Sequence, residues 1–161
     1  MSTTFSGPVI SQNGFINLGS GSVINVANGT NTLALTVADY SGRVIKTNDA
    51  TLAITLPTIT TATLGATYTI FVETTAASLI SIATDGTDKY VGSVSMIDTD
   101  SSGVMSGFAP AAANDFINMN GTTTGGIAGS VVVITALALN KYLVQGTLLG
   151  SGSIATPFAN S

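Results

Sequence analysis

The amino-acid sequence predicts an all-β protein, a small antiparallel β-sandwich or barrel preceded by an extended N-terminal arm. Three observations carry that expectation. Apolar and small polar residues alternate with a period of two over short runs, as in Leu52, Ile54 and Leu56 against Thr51, Ala53 and Thr55. Turn dipeptides recur among those runs at Asn13-Gly14, Asn28-Gly29, Asp85-Gly86 and Asn120-Gly121. Gly, Ala, Ser and Thr dominate and no segment sustains a 3.6-residue apolar stripe, so long helices are not expected.

Residues 1–30 read as an arm with short strand pieces. Within it Phe5, Pro8, Val9, Ile10, Phe15 and Ile16 lie among Ser, Thr, Asn and Gly, with breaks at Gly7-Pro8 and Asn13-Gly14. Side chains so placed form no long strand of their own and are candidate contacts for a partner. The alternative is an edge strand folded back on the same domain or on a neighbouring subunit.

Residues 31–149 read as the β domain. Its first strand is Leu33-Ala34-Leu35-Thr36-Val37, followed by Leu52 to Leu56, which Pro57 should end or confine to an edge. Tyr68, Ile70 and Val72 alternate with Thr67, Thr69, Phe71 and Glu73, and Ile80-Ser81-Ile82 repeats the pattern. Residues 97–126 look like a polar, Gly-rich excursion. Val131-Val132-Val133-Ile134 is apolar on both faces, so its strand belongs where the second sheet covers one side and a subunit the other. Asn140-Lys141 then turns the chain into Tyr142-Leu143-Val144 as a C-terminal hairpin, and residues 150–161 form an irregular tail.

Charge narrows the function classes. Only 7% of the 161 residues are charged, against about 25% in an ordinary soluble domain, while 45% are hydrophobic. A surface so poor in charge implies area hidden between subunits, hence a homo-oligomer. The net charge is −4 and Arg43, Lys46, Lys89 and Lys141 are the only basic residues, too few to neutralise a nucleic-acid backbone. There is no Cys, so neither disulfides nor thiolate metal sites are available. Met1 to Pro8 lacks the basic and apolar regions of a secretory signal, which leads us to expect synthesis in the cytoplasm. Val131 to Leu139 is too short for a spanning helix, and a soluble protein with no membrane partner is expected.

Catalysis finds little to work with. The chain has no His and no Cys, so the commonest general base and the strongest nucleophile are both missing, and it is read as a non-enzyme. Lys46, Lys89 and Lys141 fall in strand or turn contexts where solvation explains them. Asp85 and Asp88 flank a turn that they should cap through Asx hydrogen bonds. Asp98-Thr99-Asp100-Ser101-Ser102-Gly103 matches the first half of a calcium loop, but the twelfth position is Ala109 where a bidentate Glu is required, so a polar turn is expected and no metal. Asn28-Gly29-Thr30 and Asn120-Gly121-Thr122 read as turns. Gly19-Ser20-Gly21 and Gly150-Ser151-Gly152 lack the strand and helix of a phosphate cradle, and no cofactor is expected.

The run Leu35-Thr-Val-Ala-Asp-Tyr-Ser-Gly-Arg-Val44, then Thr51 to Pro57, Leu64 to Phe71 and Ser81-Ile82, resembles a β module of tailed-bacteriophage virion proteins. Gly129 to Ile134 and Asn140 to Gly146 resemble its closing hairpin, with Tyr142 where such modules often carry Trp. The likeness covers residues 33–96 and 129–149. It implies a capsid decoration protein, sitting as a trimer on the outer surface of the head and bound to the major capsid protein, with the N-terminal arm as the gripping segment. Head-fibre, tail-fibre or receptor-binding proteins are the alternative among virion proteins. A carbohydrate-binding β-sandwich is the alternative of another class, disfavoured by the lack of Trp and because Tyr40, Tyr68, Tyr90 and Tyr142 mostly fall in or beside strands, where core or interface packing explains them.

Overall fold

A computed structural model describes residues 22–101 and 104–161. The described chain forms β1 (Val23–Val26), β2 (Thr32–Ala34), α1 (Val37–Tyr40), β3 (Arg43–Thr47), β4 (Leu52–Thr55), β5 (Thr67–Val72) and β6 (Ile80–Ala83). It continues as β7 (Lys89–Asp98), β8 (Met105–Phe108), β9 (Phe116–Met119), β10 (Val131–Ala138), β11 (Lys141–Gly150) and β12 (Phe158–Ala159). A seven-stranded sheet in the order β1-β3-β5-β10-β11-β7-β8 packs against a five-stranded sheet in the order β12-β9-β6-β4-β2. The protein is an all-β sandwich, as its period-two pattern requires.

The sheets are mixed rather than antiparallel throughout. From β1 to β6 successive strands alternate between the two sheets, so each strand re-enters its own sheet parallel to the one before: β1 with β3, β3 with β5, β2 with β4 and β4 with β6. The connection that a parallel pair needs is here a strand of the opposite sheet, not a helix. Antiparallel pairing begins in the second half, where β10 is flanked by β5 and β11, and β8 folds back on β7. The long β7 and β11 run parallel in unbroken register from Lys89 opposite Lys141 to Asp98 opposite Gly150.

Local chemistry explains where elements begin and end. The strand expected over residues 33–37 stops at Ala34, because Thr36 caps a four-residue helix by accepting the Asp39 N–H. The C-terminal hairpin forms as expected, its turn made by Leu139 and Asn140, with Asn140 in the left-handed region that Asn tolerates. Asn120-Gly121 is a turn too. The Asn120 carboxamide oxygen accepts the N–H groups of Thr122 and Thr124, and a Cβ at Gly121 would lie 2.0 Å from the Ala76 carbonyl oxygen.

Two segments are more regular than the sequence indicates. The excursion at residues 97–126 contains β8 and β9, and β9 is an interior strand of the smaller sheet between β6 and β12. The tail is pinned where Phe158 and Ala159 pair with Ile117 and Phe116. Their alternation spans only four and two residues, too few for a period to declare itself.

The core lies between the sheets. Ile45, Ile70, Val132, Ile134, Val144 and Leu148 from the larger sheet meet Leu52, Ile54, Ile80, Ile82, Ile117 and Met119 from the smaller one, all essentially inaccessible to solvent. Tyr90 bridges the layers: its ring tilts against Phe158 and Tyr142, and its hydroxyl donates to the Ile82 carbonyl 3.0 Å away. The Tyr142 hydroxyl donates to the Pro57 carbonyl. Burial pushes both phenols above their usual range.

Candidate interaction face

The sandwich has two outer faces, and strand register specifies what each displays. On the seven-stranded sheet one outward row runs Val23, Val44, Thr69, Val133, Gln145, Ser93, and the next runs Asn25, Lys46, Phe71, Val131, Thr147, Ser95, Gly107. A row on one side reads Thr67, Thr135, Leu143, Val91, and one on the other Leu149, Ile97, Met105. These side chains alternate with the buried ones along each strand, so they point away from the core. Their exposure is set by neighbours in the same sheet: Val44, Phe71, Val131, Val133 and Leu143 are half-buried, and Val23, Ile97 and Met105 are exposed at 40%, 39% and 66%.

Within those four rows Lys46 is the one charged side chain. Its ammonium donates to Glu73 at 2.9 Å, which neutralises it at the edge of the face. Lys89 and Lys141 stand beyond the rows, at the β10–β11 hairpin end. Thr67 and Thr135 share a cross-strand hydroxyl hydrogen bond of 3.1 Å on this surface, which ties β5 to β10 from outside.

The five-stranded sheet presents a different surface. Its outward rows are Thr32, Ala53, Ser81, Asn118 and Ala34, Thr55, Ala83, Phe116, Ala159. Phe116 is its one large side chain, and the rest are small.

Several carboxylates away from both faces are hydrogen-bonded within the fold. Asp115, 2% exposed, accepts from Lys89 at 2.9 Å and from the Ser161 N–H at 2.9 Å, and these donors hold its carboxyl below the usual range. Asp49 is held low in the same sense by the Asn31 and Thr51 N–H groups. Asp85 caps its turn as expected, accepting the N–H groups of Thr87 and Asp88. Asp88 instead points inward, where one oxygen accepts the Ile59 N–H at 2.8 Å, the other has no partner, and burial raises its pKa. Asp98 accepts the Asp100 N–H and Asp100 accepts the Gly152 N–H, which ties the β7–β8 connection to the segment after β11; Ser102 and Gly103 of that loop lie outside the described residues. No group of three or more His, Cys, Asp or Glu residues is placed to hold a metal among the described residues, and no pocket opens on them.

Phe5, Pro8, Val9, Ile10, Phe15 and Ile16 lie outside the described residues. The two-faced strand at Val131 to Ile134 sits near the middle of the larger sheet: Val132 and Ile134 are buried, while Val131 and Val133 point outward beside Phe71 and Thr69. Ile97 and Met105 belong to the same surface but were hidden in a segment whose sequence reads as a loop. Lys89 with Asp115 could not be read at all, since the two are 26 positions apart and share no motif. No protein-family model, no curated protein and no solved structure matches this chain, so geometry and the sequence resemblance carry its functional reading.

Proposed function

We propose that this protein is a structural virion component, a decoration protein that binds the outer surface of a tailed-phage capsid as a homo-oligomer and stabilises the shell. The observation that carries the reading is the outer face of the seven-stranded sheet, a broad, half-apolar surface with one neutralised charge, on a chain that has neither His nor Cys. Such a surface suits fixed protein contacts and supplies no groups for turnover. The resemblance over residues 33–96 and 129–149 supplies the phage context. Binding to the assembled shell, but not to its free subunits, shifts the equilibrium toward intact capsid by mass action. In this proposal the arm carrying Phe5, Pro8, Val9, Ile10, Phe15 and Ile16 grips the major capsid protein, and the sandwich stays outside.

The experiment is to add the purified chain to capsids that lack it and to count bound copies against the major capsid protein. Hundreds of copies per head, with a raised threshold for heat disruption, are expected. A handful of copies would mark a fibre or spike, and no binding would overturn the virion reading. Deleting residues 2–12 should abolish binding while β circular dichroism persists. A deletion variant that still decorates capsids would remove the arm from the mechanism.

A further inference from the structure

We infer that the outer face of the seven-stranded sheet is covered by a second copy of this chain, packed sheet against sheet. The inference deepens the oligomer named above and does not depend on the capsid. Four physical arguments converge on a second copy as the occupant.

The first is area. The four rows hold twenty outward positions, and at about 4.8 Å between strands and about 6.7 Å between rows these cover roughly 640 Å². A stable protein–protein interface takes about 800 Å² from each partner. The face alone is nearly enough, which single exposed apolar residues never are.

The second is charge. Each copy carries −4 overall, so copies repel except where charges are missing. Within the four rows there is only Lys46, already paired with Glu73. A strongly charged partner would meet nothing to pair with on this surface, whereas a copy of the same face brings no unpaired charge to bury.

The third is relief. Outward side chains are medium-sized and regularly spaced, with Val44, Phe71, Val131, Val133 and Leu143 set among Thr, Ser and Gln. That pattern is the one by which sheets stack about 10 Å apart, and it is complementary to itself. Two copies about a two-fold axis satisfy it, because that symmetry sets the same patch of each copy against the other.

The fourth is contrast within the molecule. The smaller sheet turns mostly Ala, Thr and Ser outward, and such side chains supply little apolar area to bury. A sheet with one face on the core and the other in water, as each of these mixed sheets has in a single copy, normally turns polar side chains outward. Only one of the two sheets departs from that pattern, so the departure is specific to a surface and is not a mere consequence of the chain's composition.

Sedimentation velocity of the full chain without capsids, from nanomolar to tens of micromolar, tests this. An oligomer is expected. Gln145→Glu with Thr147→Glu places two charges mid-face at positions exposed in a single copy, where the fold should tolerate them. That variant should weaken association about a hundredfold. Val133→Ser removes apolar contact without adding charge and should weaken it about tenfold. Ala53→Glu with Thr55→Glu, equally exposed on the other sheet, should leave association within about twofold. Circular dichroism of each variant confirms the fold. A native chain that is monomeric throughout, or association that survives the Gln145 and Thr147 charges but not those at Ala53 and Thr55, would overturn the inference. A chain that oligomerises through this face but ignores capsids would sink the decoration reading and leave the inference standing. A monomer that decorates capsids would sink the inference and the homo-oligomer with it, and would leave capsid decoration standing.

Discussion

The two outer faces are made by the same rule and differ in outcome. Both sheets alternate inward and outward residues, and both contribute to one core through rows such as Leu33, Ile54, Ile82, Ile117, Phe158 and Ile45, Ile70, Val132, Gly146, Val94. Outward, the smaller sheet has Ala, Thr and Ser, which ask nothing of a partner. The larger sheet has Val, Phe and Leu, which water accommodates poorly. The period of two fixes which residues share a face, and the bulk at the outward positions decides whether that face is finished or awaits a neighbour.

The comparison requires the two inner faces to be equivalent, and the largest effects test that. Ile54→Ala in the smaller sheet and Ile134→Ala in the larger one each delete most of a fully buried side chain and should each cost about 2–5 kcal/mol in urea unfolding at fixed protein concentration. Thr55→Ala, one position along and outward, should change stability by less than about 0.5 kcal/mol. If Thr55→Ala cost as much as Ile54→Ala, the inward–outward assignment of the smaller sheet would be wrong.

Next come the polar ties that hold the sheets back to back. Lys89 leads β7 of the larger sheet, and Asp115 directly precedes β9 of the smaller one. Asp115→Asn should cost about 1–3 kcal/mol at neutral pH. Native partners hold this carboxyl below its unfolded value, so its contribution is present above about pH 4 and is lost as pH falls through the folded pKa. The penalty should therefore shrink in acid. Asp88 has the opposite sign: burial raises its pKa, so its contribution is fully present below about pH 4 and is lost as pH rises through the raised value. Asp88→Asn keeps an acceptor for the Ile59 N–H and removes the buried charge. It should raise the melting temperature at pH 7, by the equivalent of about 1 kcal/mol, and the gain should fade on acidification. Thermal melts of both variants across pH check the pair, and parallel pH trends would contradict it.

Much of this arrangement was legible in the sequence. The alternation over Leu52 to Leu56 and Tyr68 to Val72 gave inward and outward residues correctly, and the run Val131 to Ile134 announced a strand with apolar side chains on both faces. Strand direction was not legible. Short links such as the one between Thr47 and Leu52 look like hairpin turns, yet here they carry the chain across the sandwich, and a period-two pattern is the same for parallel and antiparallel neighbours. The outer face was legible only in part, because Ile97 and Met105 reach it by the register of β7, β8 and β11, a long-range property that no local pattern encodes.

The smallest effect sharpens the comparison from the charged side. Lys46→Met with Glu73→Gln removes the one ion pair at the rows of the larger face without leaving either charge unpaired. Exposed pairs of this kind contribute little, so stability of the single chain should change by less than about 1 kcal/mol. Association, read by sedimentation, should tighten, and a weakened oligomer would show that the pair itself makes a contact between copies.

The difference between the two faces is tested most directly by hydroxyl-radical footprinting of the native full-length chain, compared between dilute and concentrated solution. Phe71 and Leu143 on the larger sheet, and Phe116 on the smaller one, are all half-buried in a single copy and so serve as matched reporters. If a second copy covers the larger face, Phe71 and Leu143 become protected as concentration rises while Phe116 keeps its rate. Constant labelling of Phe71 and Leu143 at every concentration, or protection confined to Phe116, would contradict the assignment of the seven-stranded face as the one that seeks a partner.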